Sequence, residues 1–260
     1  VPYSLHVRHY KKPKKPRATV LFIHGIGNSG DAWHDVIDRL PADVRVITID
    51  LLGFGNSPRP KWAVYNARTQ ANAVLATYLK LRITSQVIIV GHSLGSLVAI
   101  EIAKRYPLLV DSLILCSPPL YDTSDTKNKL LPKSDKILRD LFKTAQKRPE
   151  NFVKLSAFAM KYNLINRSFS VTPDNVEYYM AALESTILNQ TSYNDAHALK
   201  TKTLIIKGAL DPFVINKNLR KLAKSNKNIS LATAMSGHEV RGLFVIAVVK
   251  AIKDRLEKKT

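Results

Sequence analysis

Two kinds of apolar pattern alternate along this chain. Short continuous runs such as Thr19-Val20-Leu21-Phe22-Ile23 carry no polar position and predict strands buried on both faces. Similar runs occur at residues 45–49, 86–90, 112–116, 203–206 and 229–234. Residues 5–10 alternate apolar with polar and predict an outer strand. Between these runs, apolar residues recur every three to four positions. That spacing predicts helices over 31–40, with Asp31 as cap and Pro41 as stop, and over 66–81, 94–106, 215–225 and 240–256. Strand–helix alternation at this interval predicts an α/β fold, a doubly wound and mostly parallel sheet covered on both faces.

The alternation breaks between residues 118 and 199. That interval holds helical periodicity at 133–146, 151–162 and 173–188, with Pro149 and Pro173 placed as helix starters, and no good strand. The expected organisation is therefore a core of 1–117 and 200–260 with an inserted helical cap at 118–199. Strands that end beneath such a block place their loops under a lid. Phe152, Val153, Leu155, Phe158, Met160, Tyr178, Tyr179, Met180 and Leu183 make the block rich in large apolar residues. Phe158 and Tyr179 are the candidates for contact with substrate.

Composition narrows the picture. With 260 residues, the chain suits one large domain with an insertion. Its single cysteine, Cys116, lies in an apolar run, which excludes an internal disulfide and reads as a buried small hydrophobe. No apolar run reaches the roughly 18 residues of a membrane span, and the first residues lack the layout of a signal peptide; the expectation is a cytoplasmic protein without a transmembrane segment. The net charge of +20 is spread over every segment. The one dense cluster, Lys11-Lys12-Pro13-Lys14-Lys15-Pro16-Arg17, reads as a turn between strands. Without a nucleic-acid-binding motif beside it, no nucleic-acid partner is expected; the charge reads as a solvated surface with at most weak steering of anionic substrates.

The candidate chemistry centres on Gly91-His92-Ser93-Leu94-Gly95, which follows an apolar strand and opens a helix. A serine between two glycines at a strand-to-helix turn is a nucleophile elbow: the turn is so tight that the serine Oγ projects above the sheet. A serine hydroxyl needs a base within hydrogen-bond reach, and that base needs an orienting acid. His238 follows the last strand and Asp211 the one before it, so both fall at the sheet edge that carries Ser93. Asp122 is the rival acid. The oxyanion donors expected are the Leu94 N–H and, from the loop His24-Gly25-Ile26-Gly27-Asn28, the Ile26 N–H, with Gly27 second. His24 and His92 read as hydrogen-bonding supports. His6, His9, His34 and His197 read as structural or surface residues. No metal-ligand cluster or phosphate loop is present, so no metal or cofactor is expected.

His24-Gly25, Asp50-Leu51-Leu52-Gly53-Phe54-Gly55-Asn56-Ser57, the Ser93 motif, Asp211 and Gly237-His238 together resemble the α/β-hydrolase superfamily over nearly the whole chain outside the cap. The order Ser93, Asp211, His238 is that family's order. Within it, the chain is similar to the bacterial single-domain group with a helical cap: carboxylesterases, carbon–carbon bond hydrolases, lactonases and cofactor-free perhydrolases. The resemblance implies a serine hydrolase acting on a small-molecule carboxylic ester through an acyl-enzyme on Ser93. Carbon–carbon cleavage, lactone opening or perhydrolysis by the same triad is the alternative, and a non-enzymatic ligand sensor a third. It also implies a structural role for Asp50. The family has two strands before the one ending in His-Gly, and only one is found here. Neither the substrate nor the oligomeric state follows from the sequence.

Overall fold

The computed structural model describes residues 3–121, 140, 143, 146–161 and 165–257. Seven strands form one sheet: β1 (Val7–Lys11), β2 (Ala18–Ile23), β3 (Val44–Ile49), β4 (Val87–His92), β5 (Val110–Cys116), β6 (Lys202–Gly208) and β7 (Ile229–Ala234). Their spatial order is β1-β3-β2-β4-β5-β6-β7, and every pair is parallel except β1 with β3. The fold is thus α/β, with one outer antiparallel strand on a parallel sheet, and among the described residues a single strand precedes β2.

The continuous apolar runs are explained by burial on both faces. Leu21, Ile23, Ile47, Ile49, Ile89 and Leu113 point to one side, where α2 (Ala67–Lys80) and α3 (Leu94–Arg105) cover them. Val20, Phe22, Val46, Ile88, Val90 and Ile114 point to the other, against Trp33 and against Phe244, Val248 and Ile252 of the final helix (Leu243–Glu257). Cys116 joins this second layer, and burial pushes its thiol pKa up, away from reactivity.

The helix expected over 31–40 is instead a 3-10 turn, Gly30–Trp33, followed by the single α-turn α1 (His34–Ile37). Its cap is Ser29, whose hydroxyl accepts from the Asp31 N–H, rather than Asp31 itself. The Asp31 carboxylate is drawn to His9 and Arg8 on β1, so it is not available to cap. Between β5 and β6 the described helices are α4 (Pro149–Lys161), α5 (Val176–Ala182) and α6 (Ser192–His197). The helix expected over 173–188 starts at Val176 and widens into a π-turn, Leu183–Leu188. Helix α6 has no counterpart among the expected elements; with six residues it is too short to show a period. The candidate helix at 133–146 falls largely outside the described residues, as does Asp122. Helix α7 (Asn216–Ser225) and α8 (Leu243–Glu257) complete the layers. No helix among the described residues is long and apolar enough to cross a membrane.

Asp50, just past β3, knots the outer strand to this core. Its side chain is fully buried and accepts from Gly30 N–H (2.8 Å), Asn56 N–H (2.8 Å) and Arg8 Nη2 on β1 (2.7 Å). Gly55 (φ +52°) is required here, because a Cβ would strike the Asp50 carboxylate. Burial by itself pushes the Asp50 carboxyl pKa up, but the two N–H groups and the guanidinium outweigh it and hold it below the usual range. Asp50→Asn should lower unfolding free energy at pH 7 by about 3 kcal/mol, since it leaves Arg8 and two buried donors poorly matched. The sign with pH follows from the lowered pKa: this stability is present above the unfolded value of about 3.9 and is lost as pH falls through the folded value. Urea melts of both proteins should therefore differ at pH 7 and converge in acid; a constant difference would refute the role.

Candidate active site

The site begins with a turn one residue long. β4 ends at His92 and α3 starts at Leu94, so Ser93 alone reverses the chain, at φ +50° and ψ −118°. This is a left-handed, strained conformation for a residue with a Cβ. Ser93 N–H donates to the Cys116 carbonyl on β5 (2.9 Å), and the buried Ser96 hydroxyl donates to the Gly91 carbonyl (2.8 Å). The flanking glycines are steric necessities. A Cβ on Gly91 would meet the Gly95 backbone, and one on Gly95 would collide with the Ile23 carbonyl oxygen. Leu94, fully buried, opens α3, where first-turn N–H groups have no intrahelical acceptor.

The two other chemistry-bearing residues come together as their chain positions suggested. His238 Nδ1 lies 2.8 Å from Asp211 Oδ2, and the Phe213 N–H donates to Asp211 Oδ1 (2.9 Å). Burial pushes the Asp211 carboxyl pKa up, but its bond to His238, the imidazole charge and the Phe213 N–H prevail, leaving it below the usual range. An ionised carboxylate only accepts, so His238 Nδ1 donates to it. The ring is held between Phe213, 4.9 Å away edge-on, and His92, 5.0 Å away. His92 Nε2 bonds the His238 carbonyl at 2.9 Å. Burial lowers the His92 pKa, so its ring is neutral and donates to that carbonyl.

Ser93 and His238 line one cavity of about 240 Å³, together with Gly25, Ile26, Asn28 and His92. The loop that carries Ile26 is fixed by His24, whose Nε2 accepts from the Leu51 N–H (2.9 Å) while Nδ1 bonds the Gly25 carbonyl (2.7 Å). The helices between β5 and β6 supply the opposite wall: Phe152, Leu155 and Ser156 from α4, Phe169 from the following loop, and Tyr179, Leu183 and Ile187. That wall is bonded to the loop it faces. Ser170 N–H donates to the Gly27 carbonyl (2.8 Å) and the Ser168 hydroxyl to Asn28 Oδ1 (3.0 Å). Gly27 (φ +74°) has the Phe169 ring where a Cβ would stand.

Tyr179 is thus buried in the cavity wall, and Phe158 is not in it. Phe158 lies half exposed, because Phe152, Leu155 and Ser156 define the inner face of α4 and position 158 falls on the other side of the helix. Phe152 and Leu155, named among the large apolar residues of the block, line the cavity. Phe169, Phe213 and Glu239 are wall residues that the sequence did not single out; nothing local marks Phe169, which sits in a loop. Among the described residues no group of three metal-ligating side chains occurs.

A family model for the alpha/beta hydrolase fold matches residues 18–240, and the chain belongs to that family. It is similar to a probable lysophospholipase, BODYGUARD 2 of Arabidopsis thaliana (33% identity over 120 residues, 44% of this chain and 26% of the relative). It is also similar to the lipase LipV of Mycobacterium tuberculosis (38% over 115 residues, 44% of this chain and 42% of the relative). The chain spans about a quarter of the length of the plant relative and less than half of LipV. Among solved structures, an esterase from Thermogutta terrifontis superposes with a TM-score of 0.74 at 21% identity, covering 98% of this chain and 93% of that one. The enol-lactonase of Burkholderia xenovorans gives 0.73 at 20%, covering 97% and 96%. At these identities the structures establish the shared fold.

Burial lowers the His24 pKa to about 4. In a pH titration followed by imidazole ¹⁵N shifts, His24 should stay neutral at pH 5, where an unperturbed histidine of pKa near 6.5 is protonated. Titration of His24 near 6.5 would contradict its role as a neutral clamp between Leu51 and Gly25.

Proposed function

We propose that this protein is a serine hydrolase that cleaves a carboxylic ester through an acyl-enzyme on Ser93. The observation that carries the reading is the convergence, in one largely apolar cavity, of a strained serine with a histidine whose Nδ1 is held by a buried carboxylate. Ser93 Oγ attacks the ester carbonyl while His238 Nε2 takes its proton, and Asp211 stabilises the imidazolium. The N–H groups of Leu94 and Ile26 receive the oxyanion. His238 returns the proton to the leaving alcohol, then activates water to release the acid. The block at 118–199 serves as a cap whose apolar wall, Tyr179 included, contacts the substrate and excludes water. The matched stretches in a probable lysophospholipase and a lipase support ester cleavage over carbon–carbon or lactone chemistry.

Ser93→Ala should reduce p-nitrophenyl ester turnover by about 10³-fold or more without altering the thermal melt, and should abolish labelling by a fluorophosphonate. Asp211→Asn should lower kcat far more than it changes KM, because the amide fails to hold the imidazole tautomer. Substantial turnover by Ser93→Ala, or preferential cleavage of a vinylogous diketone by the wild type, would overturn the assignment.

A further inference from the structure

The cavity contradicts the charge of the molecule around it. The chain carries a net charge of +20, yet no lysine or arginine occurs among the described residues lining the Ser93 cavity. The one carboxylate in that lining is Glu239, adjacent in the chain to His238. It is half buried, and no salt bridge reaches it among the described residues. Around the same cavity two rings pack on a third: Phe152 lies with its centroid 5.1 Å from Tyr179, and Phe169 at 6.0 Å from it. A half-buried carboxylate that shares a small cavity with aromatic rings is an unfavourable neighbour for an anion. It is a favourable one for a cation that is itself weakly hydrated, because the ring faces and the carboxylate attract the same charge.

We propose that Glu239, with the rings of Phe152, Phe169 and Tyr179, forms a subsite for an alkylammonium group on the substrate. The ligand chemistry is that of a quaternary or alkylated amine joined to the scissile ester. A primary ammonium is more strongly hydrated and gains less from ring faces. Glu239 lines the same cavity of about 240 Å³ as Ser93 and His238, so the subsite shares the chamber in which the bond is cut. The negative wall also counters the surface charge locally: anions concentrated by the basic exterior are repelled at the last step, so exterior and cavity select in opposite senses. The assignment deepens, and rests on, the reading of Ser93 as an ester-cleaving nucleophile.

A pair of charge isosteres tests it. Butyrylcholine and 3,3-dimethylbutyl butyrate have the same shape and differ by one positive charge. The wild-type kcat/KM should favour the choline ester by about tenfold, and Glu239→Gln should bring the ratio close to one. Turnover of p-nitrophenyl butyrate by the same variant normalises for any general loss of catalysis. Binding is read separately by calorimetry of phenyltrimethylammonium with Ser93→Ala and with Ser93→Ala/Glu239→Gln; the second should bind about tenfold more weakly. If p-nitrophenyl butyrate is not turned over, the nucleophile assignment fails, while the calorimetry still reports on the subsite. Equal wild-type rates on the two isosteres, or ammonium binding indifferent to Glu239, would overturn the proposal.

Discussion

Everything at the sheet edge depends on one residue being held where it would not rest by itself. Ser93 occupies a left-handed backbone conformation that costs on the order of 1–3 kcal/mol, and the surroundings leave it no alternative. β4 is buried on both faces and α3 must pack back on the sheet at once, so the reversal has to take place within a single residue. The Cys116 carbonyl fixes its N–H, Ser96 ties the first turn to Gly91, and the close approach of Gly95 to Ile23 prevents the helix from lifting. Relaxation of Ser93 would break all of these together. The strain is maintained by the same parallel pairing that makes the core.

A second set of constraints works outward from this point. His24, at the end of β2, clamps Leu51 to Gly25, and Asp50 gathers Gly30, Asn56 and Arg8. Both are buried polar groups with their bonding satisfied, and both would be costly to leave half-bonded. They set the loop that carries Ile26 in register with the elbow, so the two sides of the cavity floor are positioned independently of anything bound above. His92 does the same for the His238 loop by holding the carbonyl of His238.

The sheet was legible because its strands are buried twice over and leave uninterrupted apolar runs such as Val20 to Ile23. The strand-to-helix turn was legible because its glycines are sterically required, and the meeting of Asp211 with His238 because both follow strands whose order the alternation fixes. Legibility ended where local pattern yields to tertiary demand. Asp31 looks like a helix cap until Arg8 and His9, distant in sequence, claim its carboxylate. The segment near 183–188 has helical spacing, and it forms a π-turn whose Leu183 and Ile187 line the cavity. Phe158 and Phe152 are equally apolar, and the helix phase that sends one outward depends on how α4 is seated. Phe169 lies in a loop, where no periodicity exists to read.

The attachment of the upper wall has a consequence for how such a molecule can change over generations. The block joins the rest of the chain through β5 and β6, and its bonds to the floor include Ser170 to Gly27, Ser168 to Asn28, Thr186 to Tyr65 and Asp195 to Lys104. None of these involves Ser93, Asp211 or His238. Wall residues that face the cavity, such as Phe152 and Leu155, can therefore be replaced without loss of those bonds. Inheritance acts on two separable parts, a floor whose geometry admits almost no variation and a roof free to drift toward whatever molecule the lineage encounters.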